Sequence, residues 1–179
     1  MGKRKNKLSK EEQAEVEEWI YQNNTEETRM TDTMTIRVKC KTENQKILVN
    51  AIKEKEVVIC SGPAGTGKTF LACAEALKLI KRNGKYKKIV IVKSVTTLKN
   101  EEIGFLKGNL REKMEPFMFS FVHNFEKIVG QSITSRLREL KTIEELPIAY
   151  MRGINLDRSI IIIDEAQNIS QENIRTIMT

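Results

Sequence analysis

The sequence predicts an α/β domain in which a parallel sheet lies between helices. Three features carry that expectation. Short runs of near-continuous valine and isoleucine, at residues 57–60, 88–92 and 160–163, alternate with stretches of helical spacing. Such runs suit strands buried on both faces, which parallel sheets have because their crossover helices cover them. The first run leads directly into a glycine-rich turn and an alanine-rich segment, the strand–loop–helix order of a phosphate-binding unit.

The elements follow in order. The opening ten residues hold five basic side chains and no acid. Ser9 and Glu12 then have capping-box spacing and start a short helix over residues 9–22, whose apolar side is little more than Val16, Trp19 and Ile20. Residues 23–35, rich in Thr, Asn and Glu, read as a tether. Residues 1–35 are thus a basic N-terminal extension, and residues 36–179 a nucleotide-binding core. Within the core, residues 42–53 form a helix ahead of the first strand. Residues 68–82 form the next, closed by Asn83-Gly84, with Ala72, Ala74 and Ala76 small enough to let it lie close on the sheet. Residues 100–146 are mostly helical, with breaks at Gly104, Gly108, Pro116 and Gly130. Residues 147–151 are a candidate fourth strand.

Composition narrows the function classes. At 179 residues and 40% apolar, the chain has material for one domain with an appended segment. A net charge of +7 suits a polyanionic partner such as RNA or another single-stranded nucleic acid, and equally suits solubility alone. The same pair of readings applies to residues 78–99, where eight basic residues stand with no acid and Tyr86 is the only aromatic. Cys40, Cys60 and Cys73 lack both zinc-site spacing and the density of a disulfide scaffold, which points to a reduced, cytoplasmic protein. Cys60 and Cys73 lie in apolar surroundings and read as buried packing. His123 is the only histidine, which argues against a metal or acid–base role for it. No apolar run approaches the roughly 18 residues needed to span a bilayer, so neither a membrane partner nor export is expected.

Chemistry is concentrated in two places. Gly62-Pro63-Ala64-Gly65-Thr66-Gly67-Lys68-Thr69 fits the Walker A pattern of Gly, four residues, then Gly-Lys-Thr. The glycines let the backbone turn its N–H groups inward around phosphate oxygens at a helix N-terminus, where side chains would be in the way. Lys68 is expected to meet the β- and γ-phosphates of ATP and the Thr69 hydroxyl to be a Mg2+ ligand. At the end of the last apolar run, Asp164 and Glu165 arrive where open α/β sheets bind ligands. Asp164 is the expected Walker B acid, holding magnesium, and Glu165 the base for an attacking water. A kinase needs no water activator and a hydrolase does, so the second acid favours hydrolysis. Gln167 is either a γ-phosphate sensor or a polar residue at a helix start.

The Gly62-to-Thr69 string, together with Ile103-Gly104-Phe105-Leu106, Tyr150-Met151-Arg152-Gly153 and Asp164-Glu165-Ala166-Gln167-Asn168, resembles the PhoH-like (phosphate starvation-inducible) ATPases from about residue 42 onward. That resemblance implies a RecA-like P-loop NTPase core, cytoplasmic ATP hydrolysis, assembly into a homo-oligomeric ring and a role in RNA metabolism. By the same resemblance, Asn44-Gln45 is similar to the adenine-side contact of related helicases, and Arg152 to a phosphate or subunit contact. Lys107, Asn109 and Ile154 depart from the family's Pro, Asp and Arg. In the family the chain continues past Thr179 into a strand that lies between the phosphate-loop strand and the Asp164 strand. A truncated chain with an incomplete sheet and low stability on its own is therefore expected. Three functions follow: an ATP hydrolase, a helicase-type motor on RNA or DNA, or a module that binds nucleotide without turnover.

Overall fold

The structure, a computed structural model, describes residue 18 and residues 30–93, 110–148, 151, 154 and 156–178. The chain forms two compact units, Met1–Thr33 and Met34–Thr179. In the first, Glu18 and residues 30–33 are helical, and the Thr33 hydroxyl donates to the Met30 carbonyl at 2.9 Å. So the end of the expected tether is one helical turn. The rest of the helix expected over residues 9–22 lies outside the described residues, as do Ile103-Gly104-Phe105-Leu106, Arg152 and the departures at Lys107 and Asn109.

The second unit is built on three parallel strands, β1 (Lys88–Lys93), β2 (Ile143–Pro147) and β3 (Ser159–Asp164), in the order β2-β1-β3. Ile89 stands opposite Ile143 on one side and Ile160 on the other. Alternation along β1 then sends Ile89 and Ile91 to one face and Val90 and Val92 to the other, all four with no exposed surface. The isoleucine face packs on helices α2 (Lys68–Asn83), α3 (Leu110–Val129) and α4 (Gln131–Glu139), through Leu77, Phe121, Phe125 and Leu137. The valine face packs on Met151, Ile161, Ile163 and Ile177, the last on α5 (Gln171–Met178). A sheet covered on both faces is what the sequence predicts, and its parallel strands are the reason their residues are apolar throughout.

Helix α1 (Glu43–Glu54) is capped by the Thr42 hydroxyl, which accepts from the Gln45 N–H at 3.3 Å. Helix α2 ends at Gly84, whose φ of 54° is the left-handed conformation expected of a glycine after a helix.

Three expectations are corrected. Residues 57–60 form no strand, and Val57 and Ile59 are 54% and 93% exposed. A strand exists only against a hydrogen-bonded neighbour, and none of the described strands lies beside this run. Cys60 is accordingly exposed rather than packed, whereas Cys73 is buried as expected. The strand of this region is Ile143–Pro147 and not residues 147–151, and it interrupts the region read as helical up to residue 146. Finally, α3 runs through Pro116 unbroken. A mid-helix proline costs about 3 kcal/mol, which the burial of Phe121, Phe125 and Ile128 on the same helix offsets.

Among the described residues, no helix is long and apolar enough to cross a membrane, and no three His, Cys, Asp or Glu side chains cluster as metal ligands.

Candidate functional site

The glycine-rich turn joins residues 57–60 to α2, and its conformation explains its composition. Gly65 and Gly67 have φ of 75° and 85°, a region closed to most side chains. At Gly65 the demand is purely conformational, since an added Cβ would meet nothing within 4 Å. At Gly67 it is conformational as well, since a Cβ there would stand at an ordinary contact distance, 3.6 Å, from Gln45 Nε2. Gly67 is the N-cap of α2, and its carbonyl accepts the first helical bond from the Leu71 N–H at 2.9 Å. The turn therefore opens directly onto a helix N-terminus, which favours anions.

Internal hydrogen bonds shape the loop. Thr66 Oγ1 donates to the Pro63 carbonyl at 3.0 Å. The Lys68 ammonium reaches back to the carbonyls of Gly62 and Pro63, 2.8 Å from each. Its charge is thus held inside the loop rather than extended to solvent. Gln45, from α1, braces the loop from outside: its Nε2 donates to the Thr66 carbonyl at 3.0 Å while its Oε1 accepts from the Lys41 N–H at 2.6 Å.

The two halves of the site meet at Thr69 and Asp164. Thr69 Oγ1 donates to Asp164 Oδ1 at 3.1 Å, across 95 residues of sequence. Packing of α2 on the sheet brings the first turn of the helix to the C-terminal end of β3. A hydroxyl and a carboxylate there are two hard oxygen donors of the kind that hold magnesium alongside water and phosphate, so the residues present fit that ion. Beneath them, burial and then the Asp164 charge push the Cys73 thiol up from 9.0 to about 12. Cys73 is therefore an inert neighbour of the acid and not a nucleophile.

Glu165 adopts φ 53° and ψ 39°, the left-handed region in which a non-glycine residue is uncommon and strained. The strain turns the chain out of β3 into the single 3-10 turn Ala166–Asn168. Glu165 is exposed, and its Oε2 accepts from Gln167 Nε2 at 2.5 Å. Its hydrogen-bond partner is thus Gln167 and not a residue of the loop. His123 lies apart on α3, half-exposed and stacked on Phe119 with ring centroids 6.0 Å apart.

The structure also redistributes the basic stretch 78–99. Lys78 pairs with Glu75 at 2.6 Å, Lys81 Nζ donates to the Met34 carbonyl at 2.7 Å, and Lys88 pairs with Glu144 at 2.7 Å. These cations serve three different local contacts and do not form one track. Residues 94–99 lie outside the described residues.

A protein-family comparison matches residues 37–179 to the family described as PhoH-like protein. The chain is 38% identical over 173 residues to a PhoH-like protein of Bacillus subtilis, a match covering 97% of this chain and 52% of that protein. It is 35% identical over 142 residues to one of Synechocystis, covering 79% and 43%. Against Protein PhoH of Escherichia coli it is 29% identical over 147 residues, covering 81% and 41%. The chain spans about half the length of the curated relatives it matches. With a family match over most of its length and relatives above 30% identity, this chain belongs to the PhoH-like protein family.

Proposed function

We propose that this protein binds ATP with magnesium at residues 62–69 and hydrolyses it. The observation that carries the reading is the 3.1 Å hydrogen bond from Thr69 Oγ1 to Asp164 Oδ1. It joins the helix N-terminus beside a glycine-rich loop to an acid at the end of a parallel strand, the place where such sheets bind ligands.

In this proposal the loop N–H groups and the α2 N-terminus bind the phosphates. Lys68 exchanges its bonds to the Gly62 and Pro63 carbonyls for phosphate oxygens, so its charge is already positioned when ATP arrives. Thr69 and Asp164 hold magnesium, whose charge stabilises the oxygens of the transferring phosphoryl group when it is bound. Glu165 orients the attacking water and accepts its proton, after leaving the Gln167 amide that now holds it. Gln45 fixes the Thr66 end of the loop and with it the cradle's shape.

The test is fluorescent-ATP binding and steady-state phosphate release for the wild-type chain, Lys68→Ala and Glu165→Gln, at several protein concentrations. Lys68→Ala is expected to weaken binding about a hundredfold, the worth of its charged hydrogen bonds. Glu165→Gln is expected to bind within a few-fold of wild type and to lose about 10²–10⁴ in turnover. Tight binding with no turnover by the wild type at any concentration would leave a nucleotide-binding module. Equal binding by wild type and Lys68→Ala would remove the site altogether.

A further inference from the structure

Residues 34–41, which lead into α1, alternate strictly in burial. Met34 is buried and Ile36, Val38 and Cys40 are half-buried, whereas Thr35, Arg37, Lys39 and Lys41 are exposed. Met34, Ile36 and Val38 belong to the core between the sheet and α2 and α3. A period of two is that of extended chain, so the core that fixes the even positions drives the odd ones to a common outer side. Arg37, Lys39 and Lys41 therefore succeed one another in a row, about 6–7 Å apart for a chain of this conformation.

With Phe70 of α2 and Lys127 of α3, this row lines an open groove of about 770 Å³. Among the described residues, none of Arg37, Lys39, Lys41 and Lys127 has an ion-pair partner. A second groove of about 420 Å³ flanks the same segment near Lys78 and Lys81, but there the ammonium groups are engaged by Glu75 and the Met34 carbonyl. The larger groove thus concentrates uncompensated charge.

We propose that the larger groove binds the backbone of a single-stranded nucleic acid, with Arg37, Lys39, Lys41 and Lys127 at successive phosphates and Phe70 as a face for a base. Three features favour this occupant over an acidic peptide. The cations repeat along one line, at a spacing comparable with that of neighbouring phosphates on one strand. The groove is open to solvent along its length rather than enclosed, as backbone tracking requires. Its wall carries a half-buried aromatic ring, which stacks on any base. The site adjoins the phosphate loop, to which Gln45 ties Lys41, but it is probed without nucleotide, so its failure and that of the ATP reading are distinguishable.

The experiment is fluorescence anisotropy of labelled oligouridylate and oligothymidylate, each about fifteen nucleotides long, titrated with the full chain over a range of salt. Arg37→Gln/Lys39→Gln/Lys41→Gln is expected to weaken binding at least tenfold at low salt and to lower the slope of log K against log salt by about 2, since each strand phosphate contributes about 0.7. Phe70→Leu is expected to weaken binding a few-fold with the slope unchanged, a readout that loss of charge cannot mimic. Lys55→Gln/Lys85→Gln/Lys87→Gln, which removes as much charge from exposed positions elsewhere, is expected to bind as wild type does. Circular dichroism melts establish that each variant is folded. Preference for one of the two oligonucleotides identifies RNA or DNA as the strand, and either supports the site. Absence of binding, equal weakening by the two triple variants, or displacement of the strand by polyglutamate as readily as by unlabelled oligonucleotide would overturn the proposal.

Discussion

Gln45 Nε2 donates to the Thr66 carbonyl at 3.0 Å while its Oε1 accepts from the Lys41 N–H at 2.6 Å, so one side chain on α1 ties the phosphate loop to the segment that precedes the helix. Both groups of the amide are used, and neither an acid nor an alkyl chain can replace it. Gln45→Ala is expected to raise the Kd for a fluorescent ATP analogue about fivefold, the worth of roughly 1 kcal/mol of loop positioning. Gln45→Glu keeps the acceptor, loses the donor and adds a negative charge near the phosphates, so a larger loss is expected. An unchanged Kd in both would show that the loop holds its shape without α1.

Gly67 and Gly84 both have positive φ, at the two ends of α2, but only the first belongs to the loop. Alanine at either is expected to cost about 1–2 kcal/mol, lowering Tm by about 3–6 °C. Gly67→Ala strains the phosphate loop itself and is expected to weaken ATP binding, whereas Gly84→Ala is not. Gly84→Asn should recover most of the lost stability, because asparagine tolerates the left-handed region. Thermal melts and nucleotide titrations on the same three variants check both parts.

Cys73 gives a pH dependence with a definite sign. Its thiol is held up to about 12 in the folded chain, chiefly by burial, against an ordinary 9.0. Well below pH 9 both states are protonated and the thiol's titration makes no difference to stability. Between about 9 and 12 the unfolded chain releases this proton and the folded chain does not, so stability falls by up to about 1.4 kcal/mol per pH unit. Denaturant titrations of wild type and Cys73→Ala across this range should differ by that slope, which isolates the thiol from the lysines that titrate alongside it. At neutral pH, Cys60 should react with a thiol reagent in the native chain and Cys73 only on unfolding.

Ile59 is 93% exposed, despite standing in a run that reads as a buried strand. Ile59→Lys is therefore expected to change the stability of this chain by no more than about 0.5 kcal/mol. A loss of several kcal/mol in a denaturant titration would show that residues 57–60 are packed.

The contrast between that run and β3 marks the limit of what periodicity reveals. Residues 57–60 and 160–163 look alike in sequence, yet among the described residues only the second has a hydrogen-bonded strand neighbour, in β1. Apolar character says that a segment can be buried, but pairing is a property of two segments. The reverse failure is β2, whose Glu144 and Glu145 hid it among helical residues. Their charges are met by Lys88 and by Arg138, the latter at 2.8 Å between side chains only 15% and 10% exposed. The row Arg37, Lys39, Lys41 was legible, since the apolar Met34, Ile36, Val38 and Cys40 interleave with it, but the segment's polar lead-in suggested a tether.

By itself the sequence determined the α/β class, the strands β1 and β3, the helix after the glycine-rich turn and the family. These follow from local rules: apolar runs, helix caps and glycines where only glycine turns the chain. Tertiary structure alone decided that the expected neighbours Thr69 and Asp164 share a direct hydrogen bond, that Gln45 braces Thr66, that Glu165 sits in a strained turn against Gln167, and that four cations share one groove. Those relationships join residues far apart in the chain or depend on backbone angles, and both are fixed only when the sheet and its covering helices pack together.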